Sequence, residues 1–165
     1  MLMTTIHYGL LIALAIALLI AAFTDIRSRT ISNWLNIAIA AGAPVFWWAS
    51  GLSLWPDVAW QIGFALVVCG ILVGVAYIGY RLNIVILGGG DIKLLGALAL
   101  WFTPMSYLGM LWYMALCGGV MAVLFVLRLM ILRPKTRGVL PYGVAIAGGA
   151  LLVLYPKLIS VPAFA

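Results

Sequence analysis

Long apolar runs alternate with short polar stretches along the whole chain. Five runs are apolar almost throughout, and they cover residues 6–24, 34–49, 58–80, 105–127 and 141–155. Runs of about 18 or more apolar residues are typical of helices that cross the hydrocarbon core of a membrane, which is about 30 Å thick. The pattern therefore predicts an all-α membrane protein.

A sixth run, residues 92–102, is too short to cross the membrane alone. Its 11 residues would form a helix of about 17 Å. Adding residues 84–87 restores the length of a span, but it also draws the glycines of residues 88–90 and Asp91 towards membrane depth. In the other interpretation, this segment does not cross.

The placement of Lys and Arg decides between the two interpretations. With six crossings and an outer N-terminus, eight of the nine basic residues fall on one face, and only Lys157 lies on the other. Without the fourth crossing, the cluster at residues 128–137 moves to the outer face and the asymmetry disappears. Because Lys and Arg accumulate on the cytoplasmic side, we predict one domain, residues 1–165, that forms a bundle of six transmembrane helices with both termini on the outer face. This topology also gathers an outer aromatic belt of Trp47, Trp48, Trp55, Trp60 and Trp101.

Composition excludes a soluble globule and disfavours a nucleic-acid-binding protein. Hydrophobic residues make up 67% of the 165 residues, charged residues make up 7%, and the mean hydropathy is +1.28. The net charge of +6 comes from basic residues that are too few and too scattered to form a nucleic-acid-binding face. The partner that this composition indicates is the lipid bilayer.

Cysteine and histidine are too sparse to suggest a metal site. Cys69 and Cys117 lie inside apolar runs without a C-x-x-C motif, so we expect both to be small buried packing residues. His7 is the only histidine, which disfavours a His-based metal site or catalytic triad. We therefore expect neither a metal nor an organic cofactor.

The acidic residues are few enough to be considered one by one. The chain contains Asp25, Asp57 and Asp91 and no glutamate. In the six-span topology Asp25 and Asp91 share the inner face, whereas Asp57 lies in an outer turn as a solvated or N-capping residue. Two aspartates that meet can share one proton, so that the neutral one donates to a substrate carbonyl and the charged one takes a proton from attacking water.

Simpler roles for the two inner aspartates stay open at this point. Asp91 is suited to cap a helix N-terminus after the three glycines, which interrupt the helical pattern. Asp25 is suited to pair with Arg27 or Arg29 at the membrane surface. If the two acids do share a proton, the helix dipoles suggest that Asp25, at the end of a helix, holds it and that Asp91, at a helix start, is the general base.

Three segments resemble the prepilin peptidase family of bacterial membrane aspartyl proteases, in particular its short members that serve tight-adherence (Flp-type) pili. Residues 88–97, GGGDIKLLGA, resemble the family's G-x-G-D-x-K box at the start of a helix. Asp25 and residues 29–33 resemble the first catalytic aspartate and the I-P-N-like segment after it. Residues 140–143, LPYG, resemble the P-[YF]-G opening of the final helix. The resemblance covers nearly the whole chain.

The resemblance implies a site and a substrate. Asp25 and Asp91 would be the catalytic pair, and Gly88 and Gly90 would shape the loop that carries Asp91. The substrate would be a prepilin with a short hydrophilic leader and an apolar helix, cleaved after a glycine that has a glutamate a few residues downstream. The enzyme would be a multi-pass protein of the bacterial inner membrane.

Two polar residues near the aspartates are further candidates. Lys93 is expected to contact the leader backbone or to lower the pKa of a carboxylate, unless it only extends towards the interface. Asn33 is expected either to orient Asp25 or to cap its own helix. Two departures from the family are Ser32, which stands where proline is common, and the missing cysteine-rich insertion of the larger, bifunctional members. We therefore expect proteolysis without N-methylation of the cleaved pilin.

Two functions of other classes remain as alternatives. A small proton- or ion-coupled transporter also uses carboxylates at broken helices, but it needs a carboxylate that is reached from both sides, preferably near the bilayer midplane. An inactive scaffold of a pilus assembly machine needs no catalytic pair. The sequence predicts neither the cognate pilin nor the oligomeric state.

Overall fold

Six α-helices make up most of the protein. The computed structural model describes residues 2–84, 87–132 and 141–159, and within these ranges the chain forms no strand. The helices are α1 (Leu2–Ser28), α2 (Asn33–Ala49), α3 (Ala59–Arg81), α4 (Gly89–Ala99), α5 (Pro104–Leu132) and α6 (Tyr142–Ile159). A single helical turn, Leu54–Val58, leads into α3. The prediction of an all-α chain is confirmed over the described ranges.

Contacts between helix ends give the direction of each helix. His7 Nδ1, near the start of α1, lies 2.9 Å from Ser50 Oγ at the end of α2. Gln61, near the start of α3, contacts the end of α4, and Lys157, near the end of α6, lies over the ring of Phe102 just after α4. The opposite end of the bundle therefore holds the end of α1 and the starts of α2, α4 and α6. We call this the inner end.

The short helix α4 occupies the centre of the bundle. It packs against α2, α3 and α6 and touches α5, whereas α1 packs on α2 and α6. Every residue from Leu94 to Ala99 is buried. Non-helical backbone next to such a helix is tolerated at membrane depth only where protein surrounds it. The central position therefore explains how a helix of 11 residues fits into a membrane bundle.

Side chains of neighbouring helices bind the carbonyl groups at the buried end of α4. Gln61 Nε2 donates to the carbonyl of Ala99 at 2.8 Å and to that of Phe102 at 2.7 Å. Trp47 Nε1 donates to the carbonyl of Leu100 at 2.9 Å. The last carbonyls of a helix have no partner within it, and an unsatisfied one is costly where water is excluded. Gln61 and Trp47 therefore allow α4 to end inside the bundle.

Two of the five tryptophans predicted for the outer belt are core residues instead. Trp47 and Trp101 are 8% and 7% exposed, and Trp101 Nε1 donates to the carbonyl of Ile39 at 2.7 Å. Both are buried because each indole N–H binds a carbonyl across the contact between α2 and the end of α4. The other three are exposed, as a belt requires: Trp48, Trp55 and Trp60.

The membrane topology is supported in part. Four helical segments are long and apolar enough to cross a membrane, namely Leu2–Ser28, Leu54–Arg81, Pro104–Ile131 and Tyr142–Ile159. The helices α2, with 17 residues, and α4, with 11, are outside this set. Six crossings and outer termini stay predictions. Part of the predicted fourth span and of the basic cluster lies outside the described residues: residues 85–86 and Arg133, Lys135 and Arg137.

Replacing Gln61 by methionine is expected to destabilise the bundle. The change keeps the side-chain length but leaves the carbonyls of Ala99 and Phe102 without their donor, which typically costs about 1–3 kcal/mol for a buried group. Thermal unfolding in detergent, followed by tryptophan fluorescence, measures the effect. The exposed neighbour Ile62 offers the control Ile62→Met. Equal melting temperatures for the two variants would contradict the role given to Gln61.

Candidate functional site

Asp25 lies in the last turn of α1 and faces the interior of the bundle. Its side chain is 6% exposed, and Oδ2 accepts a hydrogen bond of 2.7 Å from the backbone N–H of Gly143. Gly143 is the second residue of α6, so this N–H is one of the donors that a helix leaves unpaired at its N-terminus. A Cβ atom at position 143 would lie 2.8 Å from the same oxygen. The start of α6 therefore fixes the carboxylate, and glycine allows the close approach.

The segment after Asp25 joins the end of α1 to the start of α4. The helix continues to Ser28, and Arg29 then turns the chain with a φ of 54° while its N–H donates to the carbonyl of Asp25 at 2.9 Å. Ile31 follows, is buried, and packs on Gly90, where an added Cβ would lie 3.3 Å from the Ile31 Cβ. The turn after α1 thus places Ile31 against the first turn of α4.

Asp91 is the third residue of α4, and its side chain is 9% exposed. The N-cap is Gly88, where an added Cβ would lie 2.8 Å from Asp91 Oδ2. Two expectations are therefore wrong, because Asp91 is not the N-cap, and Gly89 and Gly90 begin the helix instead of forming a loop. A glycine inside a helix costs about 1 kcal/mol, and at Gly90 it permits the close packing of Ile31. Gly88, just before the helix, permits the close approach of the Asp91 carboxylate.

The two aspartates interact electrostatically at the inner end. The pKa of Asp91, which lies outside the four candidate spans, is raised by burial first and then by the negative charge of Asp25, against a smaller lowering by the backbone N–H of Gly88. Burial and the neighbouring charge thus favour the protonated form of Asp91, whereas the helix dipoles alone led us to expect the shared proton on Asp25. That expectation considered only the end of α1 and overlooked the start of α6, whose Gly143 N–H points at Asp25.

Lys93 and Asn33 meet at the same end of the bundle. Lys93 Nζ donates to Asn33 Oδ1 at 2.8 Å and so links the first turns of α4 and α2. Asp25, in contrast, is bonded to Gly143, while Arg27 and Arg29, its alternative partners, are exposed. The six residues that the sequence singled out therefore lie at the end of α1, at the start of α2 and between the N-cap and the fifth residue of α4.

A groove opens from this site along α4, between α2 and α3. It has a volume of about 560 Å³, and Asn33, Lys93 and Cys69 are among the residues that line it. Cys69 is exposed there, so the expectation of a buried packing residue is wrong for this cysteine, while Cys117 is partly buried. The reason is that α2 and α3 both pack on α4 but leave a gap between them.

The remaining candidates do not contribute to this site. Asp57 is exposed in the turn before α3, where its Oδ2 accepts hydrogen bonds from the N–H of Ser53 at 3.1 Å and from its hydroxyl at 2.8 Å. His7 lies at the opposite end. Within residues 2–84, 87–132 and 141–159, no three His, Cys, Asp or Glu residues are grouped so that they would hold a metal ion.

Sequence reasoning missed two residues of the site. Gly143 belongs to the LPYG segment, which was interpreted only as the start of a helix, and nothing in the sequence indicates that its N–H meets Asp25. Asn36 also lines the groove and is 5% exposed. The sequence does contain a signal for Asn36, because a polar amide within an apolar helix, one turn after Asn33, is unusual and indicates function.

Comparison with known proteins places these residues in a family. The model of the type IV leader peptidase family matches residues 12–123, which is more than half of the chain and includes both buried aspartates and the segment from Gly88 to Lys93. Gly143 lies beyond the matched range. No curated protein and no solved structure matches the chain.

Removing the charge of Asp25 is expected to lower the pKa of Asp91. In the Asp25→Asn variant the like charge is absent, so ionisation of Asp91 becomes easier, while burial keeps its pKa above the ordinary value. Infrared titration of the carboxyl C=O stretch in detergent measures the shift, with Asp57→Asn as the control that leaves it unchanged. An identical Asp91 titration in wild type and Asp25→Asn would show that the two groups do not interact.

Proposed function

Because the chain belongs to the type IV leader peptidase family, we propose that it is an aspartyl endopeptidase that removes the leader of a type IV prepilin at the cytoplasmic membrane interface. The family match supports a peptidase, and four helices that are long and apolar enough to cross a membrane support a multi-pass membrane protein. The finer proposal is that Asp25 and Asp91 form the catalytic pair. All 165 residues would act as one polytopic domain.

One observation carries the proposal of an aspartyl mechanism. Of the three acidic residues in the chain, two are buried at the same end of the bundle and interact electrostatically, and the third is exposed in a distant turn. A buried carboxyl group is costly to keep charged, so two of them in one place need a reason. General acid–base chemistry with one shared proton supplies that reason.

The proposed mechanism assigns different roles to the two carboxyl groups. Asp91, whose pKa is raised by burial and by Asp25, donates its proton to the oxygen of the scissile carbonyl. Ionised Asp25, held by the Gly143 N–H, takes a proton from the water whose oxygen attacks the carbonyl carbon. Asp25 then passes this proton to the amide nitrogen, and Asp91 takes a proton back from a hydroxyl group of the tetrahedral intermediate as its C=O re-forms and the C–N bond breaks. These transfers release the leader and restore the starting protonation. No cofactor enters these steps.

The proposed substrate is the short leader of a Flp-type pilin, followed by its apolar helix. That helix would lie laterally against the bundle in the bacterial inner membrane, with the leader junction at the inner end. The glutamate expected downstream of the cleavage site would pair with Lys93 or an inner arginine. Without the cysteine-rich insertion between α1 and α2, the enzyme would cleave the pilin and not methylate it.

The transporter alternative receives no support from this geometry. A coupling carboxylate must be reached from both sides, preferably near the bilayer midplane, whereas Asp25 and Asp91 both lie at the inner end of the bundle. An inactive scaffold would not require the two carboxyl groups to be buried together. Leader peptide hydrolysis therefore remains the function that the site supports best.

Replacing either buried aspartate by asparagine is expected to abolish cleavage. Asp25→Asn and Asp91→Asn remove the base or the acid while keeping the side-chain shape, so the rate should fall about 10²- to 10⁴-fold. Purified protein in detergent is incubated with a prepilin, and the leader-free product is followed by mass spectrometry.

Asp57→Asn is the matched control for this assay, because Asp57 bonds only its own turn, and it should cleave like wild type. Full cleavage by Asp25→Asn or Asp91→Asn would overturn the two-aspartate mechanism. If the wild type leaves prepilins intact, the proposed function itself is wrong.

A methyl group at either glycine that touches a catalytic carboxylate is expected to impair cleavage. In Gly88→Ala and Gly143→Ala the new Cβ would lie 2.8 Å from Oδ2 of Asp91 or Asp25, so the carboxylate must move. Displacing a catalytic group by about 1 Å typically costs about 100-fold. Gly89→Ala is the control, since nothing lies within 4 Å of its added Cβ. Equal kcat/KM for all three variants would contradict the assigned geometry.

A further inference from the structure

The groove along α4 is built from one face of each of three helices. α2 contributes Asn33, Asn36, Ile37 and Ala40, which lie on one side of that helix at spacings of three and four residues. α4 forms the floor and α3 forms the far wall. The floor and wall are lined by Ile92, Lys93, Gly96, Ala97, Leu100, Cys69 and Val73.

The inner end of this groove lies on the same helix as Asp91, although neither aspartate is among its lining residues. Ile92 and Lys93, which line its inner end, directly follow Asp91 in α4, and Lys93 is bonded there to Asn33. Beyond these residues its lining is almost entirely apolar. A chain bound at Lys93 therefore lies within one helical turn of Asp91 along α4, with apolar surface beyond it.

Asn36 is the one feature of the groove that packing does not explain. The residue is 5% exposed, and neither its Nδ2 nor its Oδ1 has a hydrogen-bond partner within residues 2–84, 87–132 and 141–159. Buried amides are normally bonded, because burying both a donor and an acceptor without partners opposes folding. Gln61, the other buried amide, follows this rule with two hydrogen bonds.

The two polar atoms of Asn36 are buried beneath the groove surface, so a partner bound in the groove reaches them only after the side chain rotates. The chemistry of the amide indicates which partner fits. One amide group offers a donor and an acceptor side by side, which matches the C=O and N–H of a polypeptide main chain. A lipid acyl chain offers neither and would leave the amide unpaired. A main chain has free groups in an extended segment or in the first turn of a helix, where four N–H groups lack partners.

We propose that the groove between α2, α3 and α4 binds the substrate where its apolar helix begins, and that Asn36 recognises the main chain of that segment. The inference rests on the proposed function, since it assigns the substrate a path beside Asp91. The extended leader junction lies at Lys93 and Asn33, the first turn of the helix reaches Asn36, and the following turns lie on the apolar floor formed by Gly96 and Ala97. Asn36 is thus a substrate-binding residue one helical turn from the catalytic end.

Replacing Asn36 by leucine tests whether this residue binds substrate or only stabilises the fold. In Asn36→Leu the two unpaired polar atoms disappear, so the melting temperature should stay equal or rise. The kcat/KM for a prepilin should fall about five- to tenfold, as expected for the loss of one to two hydrogen bonds. The matched control is Gln61→Met, which exchanges the other buried amide and should lower the melting temperature. A lower melting temperature for Asn36→Leu, or an unchanged kcat/KM, would overturn the proposal.

The natural cysteines provide a second test that does not require activity. Cys69 lines the groove, whereas Cys117 lies on α5 against Gly148. Prepilins that carry one cysteine at successive positions in the first three turns of their apolar helix are mixed with the Asp25→Asn protein under mild oxidation. Disulfide cross-links are expected in the Cys117→Ala background and lost in the Cys69→Ala background. Absence of a Cys69 cross-link at every substrate position would overturn the proposed path.

The two tests distinguish failure of the groove from failure of the proposed function. If the wild type cleaves prepilin, Cys69 forms no cross-links and Asn36→Leu keeps full activity, then substrate binding in the groove is wrong and the peptidase function stands. If Cys69 forms cross-links but the wild type does not cleave prepilin, then binding in the groove is supported and the proposed hydrolysis is wrong. Cross-links together with reduced cleavage by a stable Asn36→Leu protein would support both.

Discussion

The structure depends on a helix that is too short to cross a membrane and is nevertheless placed at the centre of a membrane bundle. The carboxyl end of α4 and the Asp91 side chain near its amino end are buried in the bundle, so the polar groups there need partners from the protein. Gln61 and Trp47 supply donors at the carboxyl end. At the amino end the N–H of Gly88 meets the carboxylate of Asp91. The Asp91 carboxylate thus serves as the partner of an unpaired backbone N–H at the start of α4.

A similar arrangement holds the second acid. The start of α6 points the N–H of Gly143 at Asp25, so each carboxylate lies at a helix N-terminus, where negative charge is favoured. Ile31, packed on Gly90, links the end of α1 to the start of α4. The pair is therefore positioned by backbone contacts and by close approach at glycines. No ion pair with Arg27 or Arg29 is needed, and this leaves the carboxyl groups available for proton transfer.

The inner end combines this polar site with an apolar path that leads away from it. The groove runs from Lys93 and Asn33 along α4, and it is open because α2 and α3 contact α4 without closing over it. A substrate that is itself partly polar and partly apolar fits such a surface, with its polar segment at the carboxylates and its apolar helix on the floor. The unpaired amide of Asn36 lies between the two regions.

The sequence by itself determined the all-helical class and singled out the two aspartates of the candidate site. Apolar runs predict helices because their length matches the bilayer, and the scarcity of charge made Asp25 and Asp91 stand out among three acids. Only the tertiary structure decided which groups meet these acids, because the Gly143 N–H comes from 118 positions away along the chain. It also decided that Asp91 is buried near a second acid, which raises its pKa, and that Trp47 and Trp101 are buried and donate to carbonyl groups inside the bundle. Periodicity and composition describe single segments, whereas burial and hydrogen bonds between helices depend on how all of them pack.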